Sequence, residues 1–211
     1  QNKAIELAAY LDEVGVDYSM HQCNFADSTA VNAFIDEIDA KYDSFHFVVH
    51  TSAITGSLSR ATEVSANEMV EGVQINVKAI SAITDAIAPK IRETLLIVGS
   101  VAEDALFSGS STYVVSKCML HSYAAGLSTA MHKQEVKTIY YMLGLLDSGM
   151  VDKLNPKQKL AAMMSINQAK LLPAGEVANR IVHSLYRPKV LNVQHSWEGD
   201  LIVRRDGYKW R

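Results

Sequence analysis

The sequence has little that would set it apart from an ordinary globular protein. Only two of its 211 residues are cysteines, Cys23 and Cys118, and they lie in different segments rather than in a metal-like cluster. It has no run of Lys and Arg, and the formal net charge is -3, so no nucleic acid or anionic membrane is indicated as a partner. The longest apolar stretches, such as 95–98, are far too short to span a bilayer. No secretory leader is recognisable, and we therefore expect a cytoplasmic protein with reduced thiols.

Helical and extended patterns alternate along the chain, in which apolar residues make up 48% and charged residues 20%. The helical patterns cover 2–14, a stretch from Asp27 or Ser28 to about Lys41, 66–91 with a break near Pro89, 111–133 and 174–186. The extended patterns cover 16–23, 45–51, 94–98, 136–143, 189–194 and 200–204, and the Met-rich region 148–172 is helical in tendency. Alternating helices and buried strands predict one α/β domain over 1–211 with a parallel sheet.

Three residues carry the chemistry that the sequence suggests. Tyr113 and Lys117 are four positions apart on a predicted helix, so the Lys117 ammonium is expected near the phenol. A nearby positive charge favours the phenolate and is expected to lower the pKa of Tyr113. Such a phenol can protonate a carbonyl oxygen, or accept the proton in reverse. Ser100 follows a buried strand, at the edge where open α/β sheets bind ligands, and its hydroxyl can stabilise charge on the same oxygen.

This set resembles the short-chain dehydrogenase/reductase family, whose motif is Ser followed thirteen residues later by Tyr-x-x-x-Lys, as in Ser100, Tyr113 and Lys117. Asn76, in Ile75-Asn76-Val77, lies where the family has the asparagine that completes a catalytic tetrad by holding a water near the lysine. The resemblance spans nearly the whole chain. It implies a Rossmann-like, doubly wound parallel sheet in three layers, similar to that of the 3-oxoacyl-carrier-protein reductases.

The resemblance also implies a nicotinamide cofactor, NADP or NAD, with NADPH slightly favoured. Ser148, in the segment Gly144-Leu145-Leu146-Asp147-Ser148, is expected at the nicotinamide carboxamide, and Asn24 at the adenine. The full set of expected cofactor contacts is Asn24, Thr51, Ser52, Ala53, Tyr113, Lys117, Gly144 and Ser148.

The sequence departs from the family pattern in four places, one of them Asn24, where the family usually has an aspartate at the adenine. His50-Thr51-Ser52-Ala53 replaces the family's Asn-Asn-Ala-Gly, and Leu143 replaces a proline. The helix that begins at Gln1 resembles the one after the family's second strand, so the Gly-rich pyrophosphate turn does not precede it. A parallel sheet without a central strand would expose unpaired backbone. We therefore expect a protein longer by roughly 35–40 residues, one mononucleotide unit; a shortened protein that cannot bind dinucleotide is the other interpretation.

Each singled-out residue also has an ordinary structural interpretation. Tyr113 and Lys117 could be a partly buried tyrosine beside a solvated lysine, and Asn76 a helix-interior asparagine bonded to backbone. Ser148 could simply cap a helix. The histidines, His50, His121 and His132, show no metal-ligand spacing, so no metal site is predicted.

The favoured function is an oxidoreductase that transfers a hydride between NAD(P)(H) and a carbonyl or alcohol, with Tyr113 as general acid/base. The expected substrate is a small-molecule or acyl-thioester carbonyl compound. One alternative is a catalytically inactive, reductase-like binding or regulatory protein, suggested by the altered 50–53 segment. Another is a nucleotide-sugar epimerase or dehydratase, which also uses Tyr-x-x-x-Lys but usually has a larger C-terminal region. The resemblance further implies a homotetramer or homodimer that pairs through the helices at 66–91 and 110–133.

Overall fold

Helices and strands alternate along the chain as the sequence pattern predicts. The structure is a computed structural model, and it describes residues 2–105, 111–186, 193–195 and 201–203. The α-helices are α1 (Asn2–Val14), α2 (Ser28–Lys41), α3 (Ala66–Val73), α4 (Ala79–Ile87), α5 (Ala102–Ala105), α6 (Ser111–His132), α7 (Pro156–Ser165) and α8 (Ala174–Tyr186). The strands are β1 (Phe45–His50), β2 (Ile91–Ser100), β3 (Lys137–Leu143), β4 (Leu146–Asp147), β5 (Leu172–Pro173), β6 (Val193–His195) and β7 (Leu201–Val203).

The central sheet has the strand order β1-β2-β3-β6-β7. The first four of these strands are parallel, whereas β7 runs antiparallel to β6. This departure from an all-parallel sheet follows from chain length, because only residues 196–200 separate the two strands and a parallel crossover needs more. A small parallel pair of β4 and β5 lies outside the central sheet, and the sequence pattern did not predict it.

Both faces of the sheet are covered, and β2 shows how. Successive side chains of a strand point to opposite faces: Leu95 and Ile97 belong to a core formed with α2, α4 and α6. Leu96 and Val98 belong to a second core, in which Ile181 of α8 packs. A parallel sheet between two helical layers confirms the predicted Rossmann-like, doubly wound α/β fold.

The strand predicted at 16–23 is not formed, and that prediction was wrong. The segment has no regular secondary structure, and Val16 and Met20 are exposed. A strand requires a neighbour that takes its backbone hydrogen bonds. Among the described strands, β1 pairs with β2 alone, and nothing pairs with 16–23.

The helix predicted over 66–91 is interrupted twice. A π-helix of five residues, Gln74–Lys78, separates α3 from α4, and the sequence pattern did not predict it. After α4 a 3-10 turn, Ala88–Lys90, contains Pro89. The predicted break near Pro89 is therefore confirmed, since proline has no N–H to continue the helix. Residue 91 already belongs to β2. Single π-turns inside α-helices occur frequently at functional sites.

The remaining bounds agree closely with the predictions. Helices 2–14 and 174–186 are confirmed, and α2 begins after Asp27, whose carboxylate accepts a 2.8 Å hydrogen bond from the Thr29 N–H. In the Met-rich region, α7 follows a capping box formed by Asn155 and Gln158, after a 3-10 turn at Val151–Lys153. Residues 189–192, 200 and 204 of the two last predicted strands lie outside the described residues. No helix within the described part of the chain is both long and apolar enough to cross a membrane.

Candidate active site

Three parallel strands end side by side at one edge of the sheet. β1 ends at His50, β2 at Ser100 and β3 at Leu143, and Ser100 is paired in register with Leu143. The segments that follow these strands, together with the start of α6, surround a cleft of about 240 Å³. Open α/β sheets bind their ligands at this carboxyl edge, so the fold supports the predicted position of the site.

Most of the predicted site residues meet in this cleft. Those that line it are Thr51, Ala53, Ser100, Tyr113, Lys117, Gly144 and Ser148. Asn24, Ser52 and Asn76 are not among the lining residues. Ser100, Tyr113 and Lys117 are thus brought together, while the predicted catalytic Asn76 and the expected cofactor contacts Asn24 and Ser52 do not line the cleft.

Ser100 is the last residue of β2 and is buried. Its Oγ accepts a 3.2 Å hydrogen bond from the Ala102 N–H. The next residue, Val101, donates its N–H to the Leu143 carbonyl at 2.9 Å. These bonds fix the turn that follows Ser100, and Ser100 and Tyr113 line the same cleft.

Tyr113 and Lys117 lie one turn apart on α6, and the Lys117 Nζ is 5.7 Å from the centroid of the Tyr113 ring. That Nζ donates a 2.7 Å hydrogen bond to the Val98 carbonyl. The alternative of a solvated lysine is wrong, because Lys117 is only 2% exposed. Burial lowers the pKa of Lys117 to about 8, although the charge of Glu103 acts in the opposite direction.

The expectation that the pKa of Tyr113 is lowered was wrong for this structure. Burial of the phenol raises its pKa; the nearby Ser100 hydroxyl opposes that change, and the charge of Glu103 adds to it. The reason is that the Lys117 ammonium is bonded to Val98 rather than to the phenol, so desolvation decides the direction. The phenol is consequently in its protonated form at neutral pH.

Asn76 is fully buried in the π-helix between α3 and α4. Its amide donates to the Ile54 carbonyl at 2.8 Å and accepts from the Ile54 N–H at 2.8 Å. It also donates to the Ser116 hydroxyl at 2.9 Å. The interpretation of an asparagine bonded to backbone is therefore confirmed, but the backbone belongs to the loop after β1. The tetrad role of holding a water stays a prediction.

The other expected cofactor contacts differ in their surroundings. Ser148 is half-buried at the cleft. The 3-10 turn Val151–Lys153 has Met150 as its N-cap residue and no side-chain capping bond. The interpretation of Ser148 as a helix cap is therefore not supported. Asn24 is exposed, and its side chain accepts a 3.1 Å hydrogen bond from the Ala26 N–H in its own turn. Ser52 is exposed as well. His50 is bonded to Thr84 of α4 at 2.8 Å, and burial lowers its pKa to about 4.

Gln168 is a buried residue of the site that the sequence reasoning missed. Its side chain accepts from the Leu145 N–H at 2.9 Å and donates to the Leu145 carbonyl at 2.8 Å. It also donates to the Lys170 carbonyl at 2.6 Å. These bonds hold the loop that carries Gly144 and Ser148. A lone glutamine in a Met-rich region has no sequence signal for such a role.

Glu68 was missed in the same way. Its Oε1 accepts hydrogen bonds from the Ser57 N–H at 2.8 Å and the Thr112 hydroxyl at 3.2 Å. The Ser57 hydroxyl is also bonded to the carboxylate, at 2.7 Å. The bonds from Ser57 lower the pKa of Glu68. This carboxylate therefore joins the loop after β1 to the first turn of α6, immediately before Tyr113.

Among the described residues, no group of three or more His, Cys, Asp or Glu side chains could hold a metal ion. The hydroxyls of Ser100 and Tyr113 can both donate to one ligand oxygen. With the buried ammonium of Lys117 nearby, the arrangement can stabilise and protonate a developing oxyanion.

Comparison with known proteins gives a consistent result. Nodulation protein G of Rhizobium sp. (strain N33) is 23% identical over 177 residues, which are 81% of this chain and 71% of that protein. An uncharacterized oxidoreductase of Staphylococcus aureus (strain N315) is 22% identical over 139 residues, 64% of this chain but only 56% of that relative's length. A short chain dehydrogenase from Burkholderia cenocepacia J2315, solved in complex with NADP, has a TM-score of 0.74 at 19% identity; the match covers 87% of this chain and 76% of that one.

The family model described as short chain dehydrogenase matches residues 1–159, well over half of the chain. The match includes β1, β2, β3 and the whole Ser100, Tyr113 and Lys117 set. This chain therefore belongs to the short chain dehydrogenase family.

Proposed function

We propose that the protein is an oxidoreductase that transfers a hydride between NAD(P)(H) and a carbonyl or alcohol, with Tyr113 as the general acid/base. The observation that carries this proposal is the grouping of Ser100, Tyr113 and the buried Lys117 on the wall of one cleft, with Lys117 one turn beyond Tyr113 on α6. Membership of the family supports the same reaction class.

The residues around the cleft fit the nicotinamide end of a dinucleotide. Thr51 and Ser148 offer hydroxyl donors, and Lys117 offers an ammonium, at the carboxyl edge of the sheet. Gly144 and Ala53 are small residues of the same lining. We propose NADP(H) ahead of NAD(H), since the similar Burkholderia cenocepacia enzyme was solved with NADP. When bound, the nicotinamide supplies or accepts the hydride.

The chain's own residues then act on the substrate oxygen. The Ser100 and Tyr113 hydroxyls orient the carbonyl by donating hydrogen bonds to its oxygen, and they stabilise the charge that develops there. Tyr113 transfers its proton to that oxygen during reduction and takes it back during oxidation. The raised pKa of Tyr113 keeps the phenol protonated before the proton is transferred.

The far wall of the cleft supports an apolar substrate. Beyond the catalytic residues it is lined by Leu58, Leu145, Leu146, Met150, Val151, Leu154, Ala162 and Ile166. Among the described lining residues, Lys117 is the one charged side chain, and it is bonded to Val98. A substrate phosphate or carboxylate would thus find no cation in this wall. We propose an uncharged ketone whose carbonyl carries an apolar group, with 3-oxoacyl thioesters as the second substrate class.

Self-association is also proposed. Val70 on α3 and Val115 and Met119 on α6 are apolar and exposed, on the two helices through which a dimer or tetramer is expected. Sedimentation of the wild type beside a Val115→Lys variant tests this, and a single monomeric species for both would refute it.

The test of the function is oxidation of NADPH and NADH by the protein in the presence of apolar ketones and 3-oxoacyl thioesters. Tyr113→Phe should lower kcat by on the order of 10²-fold or more, the usual contribution of a general acid, while NADPH still binds. Tyr123→Phe is the matched control, since Tyr123 lies on the same helix and is bonded to Asp85. A Tyr113→Phe variant that turns over like the wild type would refute the mechanism. Absence of both turnover and cofactor binding in the wild type would favour a binding or regulatory protein.

A further inference from the structure

A second group of polar side chains is buried beside the catalytic set. Glu103 lies in α5, His121 on α6 and Tyr140 in the middle of β3. Glu103 is 6% exposed and Tyr140 is 4% exposed. None of the three lines the cleft, and the proposed reaction as described above does not use them.

The three side chains are bonded to one another through the Glu103 carboxylate. His121 Nδ1 lies 3.0 Å from Glu103 Oε2, and the Tyr140 hydroxyl donates to Glu103 Oε1 at 3.1 Å. The rings of His121 and Tyr140 are stacked, with centroids 4.5 Å apart and an interplanar angle of 6°. Both partners therefore fix the position of the carboxylate.

This group also contacts the backbone of two catalytic residues. The Ser100 N–H is directed at Glu103 Oε1, 3.4 Å away. The Tyr140 hydroxyl lies 3.2 Å from the Lys117 carbonyl oxygen. Movement of Glu103 would therefore shift the backbone both at the end of β2 and on α6.

The backbone near Ser100 is shaped to admit Tyr140. A Cβ on Gly99 would lie 2.3 Å from two ring carbons of Tyr140 and 2.5 Å from its hydroxyl oxygen. Such distances are far inside van der Waals contact, so residue 99 can only be glycine with Tyr140 in this place. The site next to Ser100 is consequently built around the tyrosine that binds Glu103.

A buried carboxylate has a high desolvation cost, and an apolar residue of similar size would avoid it. The charged and titratable groups that face Glu103 are Lys117, Tyr113, Cys118 and His121 on α6 and Tyr140 on β3. Lys117 is the buried cation among them. The negative charge of Glu103 thus acts on the catalytic ammonium in a region of low dielectric.

We propose that Glu103 is a positioning residue for the reaction: held by His121 and Tyr140, its carboxylate fixes the backbone at Ser100 and supplies a buried negative charge that faces Lys117. This inference rests on the proposed function for its kinetic consequences. Burial lowers the pKa of Lys117 and raises that of Tyr113; the charge of Glu103 opposes the first change and adds to the second. It therefore keeps the ammonium and the phenol protonated to higher pH, which are the forms that carbonyl reduction requires.

The test compares two variants. Glu103→Gln keeps the size of the side chain and removes its charge. Glu93→Gln is the control, at an exposed glutamate of β2, the strand that ends at Ser100. In Glu103→Gln, kcat for ketone reduction should fall about tenfold, the rate equivalent of one charge-assisted hydrogen bond, with KM for NADPH unchanged. The alkaline limb of the kcat profile should move to lower pH. Glu93→Gln should match the wild type. Wild-type kcat and an unmoved alkaline limb in Glu103→Gln would overturn the proposal while leaving the proposed function intact.

A measurement without turnover covers the case of an inactive wild type. The Lys117 ammonium is titrated by NMR in protein labelled at lysine, with Lys117→Met providing the assignment. The Lys117 midpoint should be lower in Glu103→Gln than in the wild type, and an unchanged midpoint would overturn the proposal. If Glu103→Gln does not fold by circular dichroism, Tyr140→Phe takes its place, since it keeps the ring beside Gly99 and removes one bond to the carboxylate. In Tyr140→Phe, kcat and the Lys117 midpoint should change in the same direction as in Glu103→Gln but by less. Wild-type values of both would count against the proposal.

Discussion

The Nζ atom of Lys117 donates a 2.7 Å hydrogen bond to the carbonyl oxygen of Val98. The ammonium is thereby tied to β2, two residues before Ser100, rather than to the Tyr113 phenol 5.7 Å away by ring centroid. A lysine in this position is almost completely buried. Its charge is therefore placed for catalysis at a cost to the stability of the fold, which leads to the first prediction.

Lys117→Met should stabilise the fold at neutral pH. Burial lowers the pKa of Lys117 from 10.5 to about 8, which corresponds to about 3 kcal/mol against the charged form. The lost hydrogen bond to Val98 offsets about 1–2 kcal/mol of this. The expected net gain is therefore about 1–2 kcal/mol in the free energy of unfolding. Urea unfolding at pH 7 measures it.

The pH dependence of this gain has a definite sign. Between pH 8 and 10.5 the folded chain binds fewer protons at Lys117 than the unfolded chain, so wild-type stability at this site rises with pH in that window. The advantage of Lys117→Met should thus be complete below about pH 8 and shrink above it. Lys133→Met, at an exposed lysine, is the control and should show no such trend. A gain that stayed constant to pH 10 would contradict the buried-charge explanation.

Ser100→Ala should reduce turnover without unfolding the protein. The Ser100 hydroxyl lines the cleft beside Tyr113 and is expected to donate to the same substrate oxygen. Loss of one such donor lowers kcat by roughly 10²-fold. Steady-state kinetics with NADPH and a ketone measure this. Ser128→Ala is the control, because Ser128 is buried on α6 but bonds only its own helix, at the Ala125 carbonyl. Equal kcat for the two variants would exclude Ser100 from the reaction.

The catalytic motif was predictable because each of its members obeys a local rule. Ser100 ends a short apolar run, and Tyr113 and Lys117 are spaced by one helical turn. The prediction of a strand at 16–23 was wrong because a strand forms only beside a neighbouring strand that takes its hydrogen bonds. The local sequence pattern contains no information about that neighbour. Asn24 was expected at the cofactor, but its side chain is bonded in its own turn. Such a local contact is available to any asparagine before a helix.

Gln168 and Glu103 could not be predicted for a related reason. The partner of Gln168 is the backbone of Leu145, and the partners of Glu103 are His121 and Tyr140, on a later helix and a later strand. These contacts exist only after α6, β3 and the 144–170 segment have packed. Hydrophobic periodicity specifies which faces pack, but it does not specify which buried polar side chains then meet.

Gln168→Leu should loosen the loop that carries Gly144 and Ser148. The substitution keeps the size of the side chain but leaves the Leu145 N–H without its acceptor, whereas the Leu145 carbonyl keeps the bond from the Leu172 N–H. Each buried backbone group left unsatisfied costs about 1–3 kcal/mol. We expect a lower free energy of unfolding and a raised KM for NADPH, measured by urea unfolding and steady-state kinetics. Gln134→Leu, in an exposed turn, should leave both unchanged. An unaltered KM for NADPH in a destabilised Gln168→Leu variant would show that the loop carrying Gly144 and Ser148 does not contribute to cofactor binding.

Gly72→Ala should disturb the active site from a distance, through the contact between α3 and α6. A Cβ at Gly72 would lie 2.2 Å from Thr112 Cγ2, and Thr112 cannot rotate freely because its hydroxyl is bonded to Glu68. Overpacking of this kind costs about 1–3 kcal/mol. Because Thr112 immediately precedes Tyr113, kcat should fall together with stability. Gly126→Ala on α6, where a Cβ meets nothing within 4 Å, should instead stabilise the fold by up to about 1 kcal/mol.

The double variant Gly72→Ala with Thr112→Ser distinguishes this clash from a general effect of the substitution. Serine lacks the Cγ2 atom that the new Cβ would meet, and it keeps the hydroxyl that binds Glu68. The two changes should therefore couple, with the double variant more stable and more active than Gly72→Ala alone. Additive effects on the free energy of unfolding would mean that the Thr112 methyl is not the obstacle. In that case Gly72 would be required by its backbone rather than by the close approach of α6.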